Sequence, residues 1–144
     1  MASPTHVRTE QRGSTRVVFL ARPETRNALS AELVSELMAA IAEAERDPST
    51  RAVVVAADGP VFAAGGDLAQ IRAAMTRADG AEEVLAIGAA LRSLEQSPLP
   101  ILAALTGDAL GGGAELVLLF DYVVADRSAA IEYRHTRKGL STAW

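Results

Sequence analysis

The sequence predicts an α/β fold with a largely parallel sheet. Three observations carry that expectation. Short runs rich in Val, Leu, Ile and Ala alternate with segments of helical periodicity along the chain. Two of these runs, AVVVAA (residues 52–57) and PILAAL (residues 100–105), are continuously apolar, the pattern of strands buried on both faces. The chain has 144 residues, 49% of them hydrophobic and 22% charged, which is enough for one domain with its own core. Aromatic residues make up only 4%, so that core must be built from Ala, Val, Leu and Ile.

Taken in order, TRVVFLAR (residues 15–22) is a β-branched and apolar run and reads as a strand. PETRN follows as a turn. Ser30 is a good N-cap, with Glu32 in the first turn after it. Leu33, Leu37, Ile41 and Ala44 then recur at helical spacing, and the helix ends near Asp47 because Pro48 disfavours helix at the residue before it. After the strand AVVVAA, DGPVFAAGGD reads as a loop with three glycines, and DLAQIRAAM opens a helix. A further helix covers about residues 81–96 and stops before Pro98. PILAAL is the next strand, TGDALGG a loop, GAELVLLF a helix and DYVVAD (residues 121–126) a last strand.

Composition excludes several classes. The net charge is −4 with no basic patch, which argues against a nucleic-acid partner. There is no cysteine, so disulfides and thiolate chemistry are out. His6 and His135 are the only histidines and lie far apart, so no metal site is expected. The N-terminus, MASPTHVRTEQRG, lacks the apolar core of a signal peptide, and Glu10 interrupts what basic character it has as a transit peptide. No run reaches the roughly 18 apolar residues of a membrane span. These features lead to the expectation of a cytoplasmic protein without a membrane partner.

One internal similarity points to chemistry. Twice a buried strand runs into a glycine-rich loop that opens a helix: AVVVAADGPVFAAGGDL and PILAALTGDALGGGAEL. A helix N-terminus carries unpaired N–H groups and the positive end of the helix dipole. Two such ends facing each other would hold one oxygen between two donors, the arrangement that stabilises developing negative charge. The candidate donors are the N–H groups of Gly66 and Gly112. Glu115 lies three residues beyond Gly112, one turn along on the same helical face, within reach of a substrate held there. Spacing alone leaves other roles open. The glycines would also serve close backbone packing, Glu115 would also suit an exposed first turn, and Asp67 reads more readily as a helix-start residue than as a catalyst.

At these residues the sequence resembles the crotonase superfamily, the enoyl-CoA hydratase/isomerase family. RPETRNALS resembles the family's RP-x-x-x-N-A-L segment, VFAAGGDL its F-x-A-G-x-D-L loop, and TGDALGGGAELVLLFDYVVAD its G-x-x-x-G-G-G-x-E-L…D segment. Three motifs in register are more specific than any one of them. The resemblance implies a crotonase-like spiral of strand–strand–helix units, with residues 1–144 as the N-terminal portion of such a domain and the family's helical C-terminal region absent. It implies an acyl-CoA substrate, with coenzyme A as part of that substrate and no prosthetic group. It makes Gly66 and Gly112 donors to the thioester oxygen and Glu115 a catalytic acid or base. Ala28, Ala64 and Asp67 fall where family loops contact coenzyme A or shape its pocket. It also implies a homo-oligomer, a trimer or hexamer, or association with a chain supplying the missing half.

The sequence departs from the family at one telling place. Hydratases carry a second glutamate in a P-E-x-x-x-G-L segment. In YRHTRKGL (residues 133–140) that position holds His135, with Arg134 in place of the proline. The segment IEYRHTRKGLSTAW is similar to ethylmalonyl-CoA-type decarboxylases, in which loss of CO2 would generate the enolate directly. An imidazole titrates near neutrality and would suit orienting a carboxylate or protonating a product, although lone histidines are commonly surface residues. Three functions follow as expectations: an enolate-stabilising hydratase or isomerase, a decarboxylase of a malonyl-CoA-like substrate, and a non-catalytic acyl-CoA-binding subunit.

Overall fold

The computed structural model describes residues 5–139, so Leu140 at the end of the YRHTRKGL segment and Trp144 lie outside the described residues. The chain opens with a hairpin of β1 (Val7–Arg12) and β2 (Thr15–Leu20), paired antiparallel with Val7 opposite Leu20. Gly13 makes the turn with φ +60°, where side chains are strained. Helix α1 (Ala31–Arg46) then crosses back over the sheet, so that β3 (Ala52–Ala57) runs parallel to β2. Ser30 caps α1, its Oγ accepting the Leu33 N–H at 3.2 Å, and Asp47 ends it in an extended conformation just before Pro48. Leu33, Leu37, Ile41 and Ala44 are all buried, as their spacing predicts. Burial of a full-sized aliphatic side chain contributes roughly 1.5–3 kcal/mol.

Beyond β3 come β4 (Val61–Ala63), α2 (Leu68–Met75), α3 (Gly80–Arg92) and a 3-10 turn at Ser93–Gln96. Then follow β5 (Ile101–Leu105), β6 (Asp108–Leu110), α4 (Gly112–Val117), β7 (Tyr122–Ala125), β8 (Ile131–Glu132) and a 3-10 turn at Thr136–Lys138. The strands form two sheets. The larger has the order β1-β2-β3-β5-β7, parallel except for β1, and the smaller is the parallel sheet β4-β6-β8. Each of the pairs β3–β4, β5–β6 and β7–β8 therefore gives its first strand to one sheet and its second to the other. This is the spiral of strand–strand units that the resemblance implied. The core between sheet and helices holds Val18, Leu20, Leu37, Phe62, Leu91 and Ile101, among others.

The structure corrects the sequence reading in four places. β1 was not expected, and its sequence VRTEQR has one strongly apolar residue in six. β4 and β6 lie inside segments that read as loops, and β8 follows them in the same sheet. β3 and β5 are not buried on both faces: Val53, Val55, Ile101, Ala103 and Leu105 are buried, while Val54, Leu102 and Ala104 between them are half-buried. Helix α4 is shorter than GAELVLLF, ending at Val117. β7, the edge strand of the larger sheet, is exposed along its length, with Tyr122 at 68% and Val124 at 67%. Among the described residues no helix is long and apolar enough to cross a membrane.

Candidate active site

The first glycine loop is held by the segment before α1. Leu29 N–H donates to Gly65 O at 2.7 Å, Asp67 N–H to Leu29 O at 3.2 Å, and Ala64 N–H to Arg26 O at 3.0 Å. The bridge between Leu29 and Gly66 uses the groups on either side of Gly66, which leaves the Gly66 N–H out of it. Asn27 pins the segment from beneath. It is fully buried with φ +53°, a conformation asparagine tolerates better than most residues. Its Oδ1 accepts the Arg22 N–H at 2.8 Å, and its Nδ2 donates to Asp58 O at 2.9 Å and Val61 O at 2.8 Å. Asp67 caps α2, its Oδ1 accepting from Ala69 N–H at 3.0 Å and Gln70 N–H at 3.2 Å.

In the second loop the three consecutive glycines have separate tasks. Gly111 has φ +54° and ψ −123° and turns the chain into α4. Its N–H donates to Glu132 O at 2.8 Å, while its carbonyl accepts from Ala114 and Glu115. Gly113 packs against β4, where an added Cβ would lie 2.3 Å from Ala63 O. Gly112, between them, is the first helical residue, whose N–H has no partner within the helix. The two loops touch at this point: a Cβ built on Gly65 would lie 3.2 Å from the Gly112 nitrogen.

Glu115 sits one turn into α4, a helix buried throughout, and is itself only 4% exposed. That removes the exposed-first-turn role. His135 approaches it from the segment after β8, with Nε2 3.4 Å from Glu115 Oε2, and its side chain is 13% exposed, so it is no surface histidine. The β6–β8 pairing places it, because Glu132, three residues before His135, is paired with Leu110 beside the glycine loop.

These groups border one cavity of about 730 Å³, within the range of roughly 300–1,000 Å³ usual for small-molecule sites. Every residue singled out from the sequence lines it: Ala28, Ala64, Gly66, Asp67, Gly112, Glu115 and His135. Sequence reasoning passed over Thr25, Arg26 and Arg134, which line it too. Arg26 was legible as part of RPETRN. Arg134 was noted only as a departure from proline, and nothing in the sequence alone puts it on a cavity wall. Among the described residues no group of three metal-ligating side chains converges. Chemically, the arrangement can offer two backbone donors to one oxygen, with a buried carboxyl and an imidazole one turn away.

The comparisons identify the family and match the fold. Residues 10–144 match the family model described as enoyl-CoA hydratase/isomerase. A Thermus thermophilus protein carrying an enoyl-CoA hydratase name is 38% identical over 137 residues, covering 92% of this chain and 53% of its own length. An enoyl-CoA isomerase/hydratase of Mycosarcoma maydis is 35% identical, covering 85% of this chain and 48% of itself. Among solved structures, an enoyl-CoA hydratase of Thermoplasma volcanium superposes with a TM-score of 0.86 at 27% identity, over 97% of this chain and 56% of that one. The chain thus spans about half the length of the curated relatives it matches.

Proposed function

The chain belongs to the enoyl-CoA hydratase/isomerase family, and from that premise we propose that it acts on an acyl-CoA thioester by stabilising the thioester enolate. The thioester oxygen lies between the N–H groups of Gly66 and Gly112. Charge that moves onto that oxygen meets donors already oriented, and removing one such donor commonly costs roughly 3–4 kcal/mol of transition-state stabilisation. Glu115 exchanges a proton with the acyl carbon next to the thioester, and His135 is placed to share or return it. Residues Ala28, Ala64 and Asp67 border the path of the coenzyme A portion, which is part of the substrate, and no prosthetic group is required. The exposed apolar β7 supports association with a second copy.

One observation carries this reading: two glycine loops from successive strand pairs meet at one cavity, beside a buried carboxyl one turn into the second helix. Deuterium exchange at the α-carbon of a saturated acyl-CoA in D2O tests it without prejudging the reaction. The wild-type chain should catalyse exchange, and Glu115→Gln should slow it by roughly 10²-fold or more. Exchange at the wild-type rate in Glu115→Gln would remove Glu115 from the chemistry. Hydration of crotonyl-CoA against decarboxylation of ethylmalonyl-CoA then separates the reaction types.

A further inference from the structure

We infer that Gln70 is a positioning residue: its side-chain amide clasps the first turns of α1 and α2 together and so sets the direction of the Gly66 N–H. This rests on the thioester site proposed above and adds the part that aims one of its donors. Residues 26–32 and 64–70 run side by side, joined in rungs. Ala64 N–H donates to Arg26 O at 3.0 Å, Leu29 N–H to Gly65 O at 2.7 Å and Asp67 N–H to Leu29 O at 3.2 Å. Gly65 C=O and Gly66 N–H belong to one trans peptide plane and point in opposite directions. The short bond from Leu29 to Gly65 O therefore turns the Gly66 N–H away from residues 26–32. On the other side of Gly66 the backbone rung, from Asp67 to Leu29, is the longest of the three.

Beyond that rung, α2 has little packing to hold it. Only Ala74 of its residues is buried, and Leu68 and Met75 are exposed. Gln70 ties the helix down with both ends of its amide. Oε1 accepts the Ala31 N–H at 2.9 Å, and Nε2 donates to Glu32 Oε2 at 2.7 Å. Ala31 is the first residue of α1, so this N–H is one that the helix itself leaves without a partner. The two bonds call for a side chain that accepts and donates at once, which an amide does and an ionised carboxylate or ammonium does not. The donated bond is the first of the causes that hold the Glu32 carboxyl below its usual pKa, which keeps it an acceptor. Arg22 adds a looser tie between the two helix caps: Nη1 donates to Ser30 Oγ at 2.9 Å and lies 4.0 Å from Asp67 Oδ2, too far for a hydrogen bond. The directional hold on α2 is thus the Gln70 clasp. Gly66 and the first turn of α2 line the cavity, so a helix that tilts there carries the donor with it.

Deuterium exchange at the α-carbon of butyryl-CoA in D2O, measured with the 144-residue chain over a range of thioester concentrations, tests this. Gln70→Ala should lower kcat roughly tenfold and leave KM within about threefold, because a misaimed donor is felt where charge develops rather than where the substrate binds. Gln70→Glu keeps the length and still accepts from Ala31, but it sets a carboxylate against Glu32 and should be about as slow as Gln70→Ala. Adding Glu32→Gln to Gln70→Glu exchanges the two partners and restores a donor opposite an acceptor. That double variant should return to within about threefold of the wild-type kcat. A folded double variant that stays as slow as Gln70→Glu would overturn the clasp. So would a Gln70→Ala variant that melts at a lower temperature yet keeps the wild-type kcat, which would make Gln70 a fold residue only, or one in which KM alone rises. A wild-type chain that binds the thioester and catalyses no exchange would overturn the enolate reading, and the clasp with it.

Discussion

The two glycine loops have the same topology and opposite helix starts. The first leads from β4 into α2 and is closed by its own side chain: Asp67 takes the N–H groups of Ala69 and Gln70. The second leads from β6 into α4 and has no side-chain cap; Gly111 stands at the cap position with φ +54°. The helices differ to match. Only Ala74 of α2 is buried, whereas every residue of α4 is. An isolated, exposed helix depends on a cap, but α4 is held by packing, with Gly113 against Ala63. Burial frees the α4 N-terminus from the need for a cap, and its unspent N–H groups are then available to a substrate oxygen. In the first loop, whose donor in the proposed site is the Gly66 N–H, the backbone is laced to residues 26–29 in a way that leaves that N–H outside the lacing.

The largest expected effect comes from Gly112→Pro. Proline is well suited to a first helical position, so the helix start should survive while the donor is lost. Turnover should fall by roughly 10²–10³-fold, measured by exchange or product formation in a variant whose melting transition shows that it is folded. Equal turnover in a folded variant would show that the uncapped end has no catalytic use. Next, Asn27→Ala should destabilise the chain by about 3 kcal/mol in urea unfolding, because Asp58 O, Val61 O and Arg22 N–H all lose their buried partner. It should disturb the Gly66 side of the site rather than the Gly112 side. Gly113→Ala should cost about 1–3 kcal/mol through its clash with Ala63 O. A neutral result would mean that α4 is not pressed against β4 as described. The smallest effect is that of Asp67→Ala, about 1 kcal/mol of stability from the lost cap. Lost thioester binding without lost stability would give Asp67 a direct role in holding coenzyme A and break the division between the two loops.

Much of this was legible in the sequence, for physical reasons. Leu33, Leu37, Ile41 and Ala44 announced α1 because a one-sided apolar stripe has few other uses. The pairing of AAGGD with GGGAE was visible because both follow apolar strands. What escaped notice was short or non-local. β4 and β6 are three residues each, and a period of two cannot show itself over so short a run. The polar β1 gains its strand conformation from pairing with β2, a long-range fact. The meeting of His135 with Glu115, 20 positions apart, depends on the β6–β8 register, and so does the place of Arg134 on the cavity wall. The full exposure of β7 was also hidden, since DYVVAD reads as a strand without revealing that it stands at the edge of the sheet.

The central claim is that one thioester oxygen is held between the Gly66 and Gly112 N–H groups. The infrared stretch of a 13C-labelled thioester carbonyl reports this directly and requires no turnover. On binding to the wild-type chain the band should move to lower frequency, as donors draw charge onto the oxygen, and in Gly112→Pro it should return most of the way to its position in water. A bound thioester whose band is the same in both chains would contradict the account.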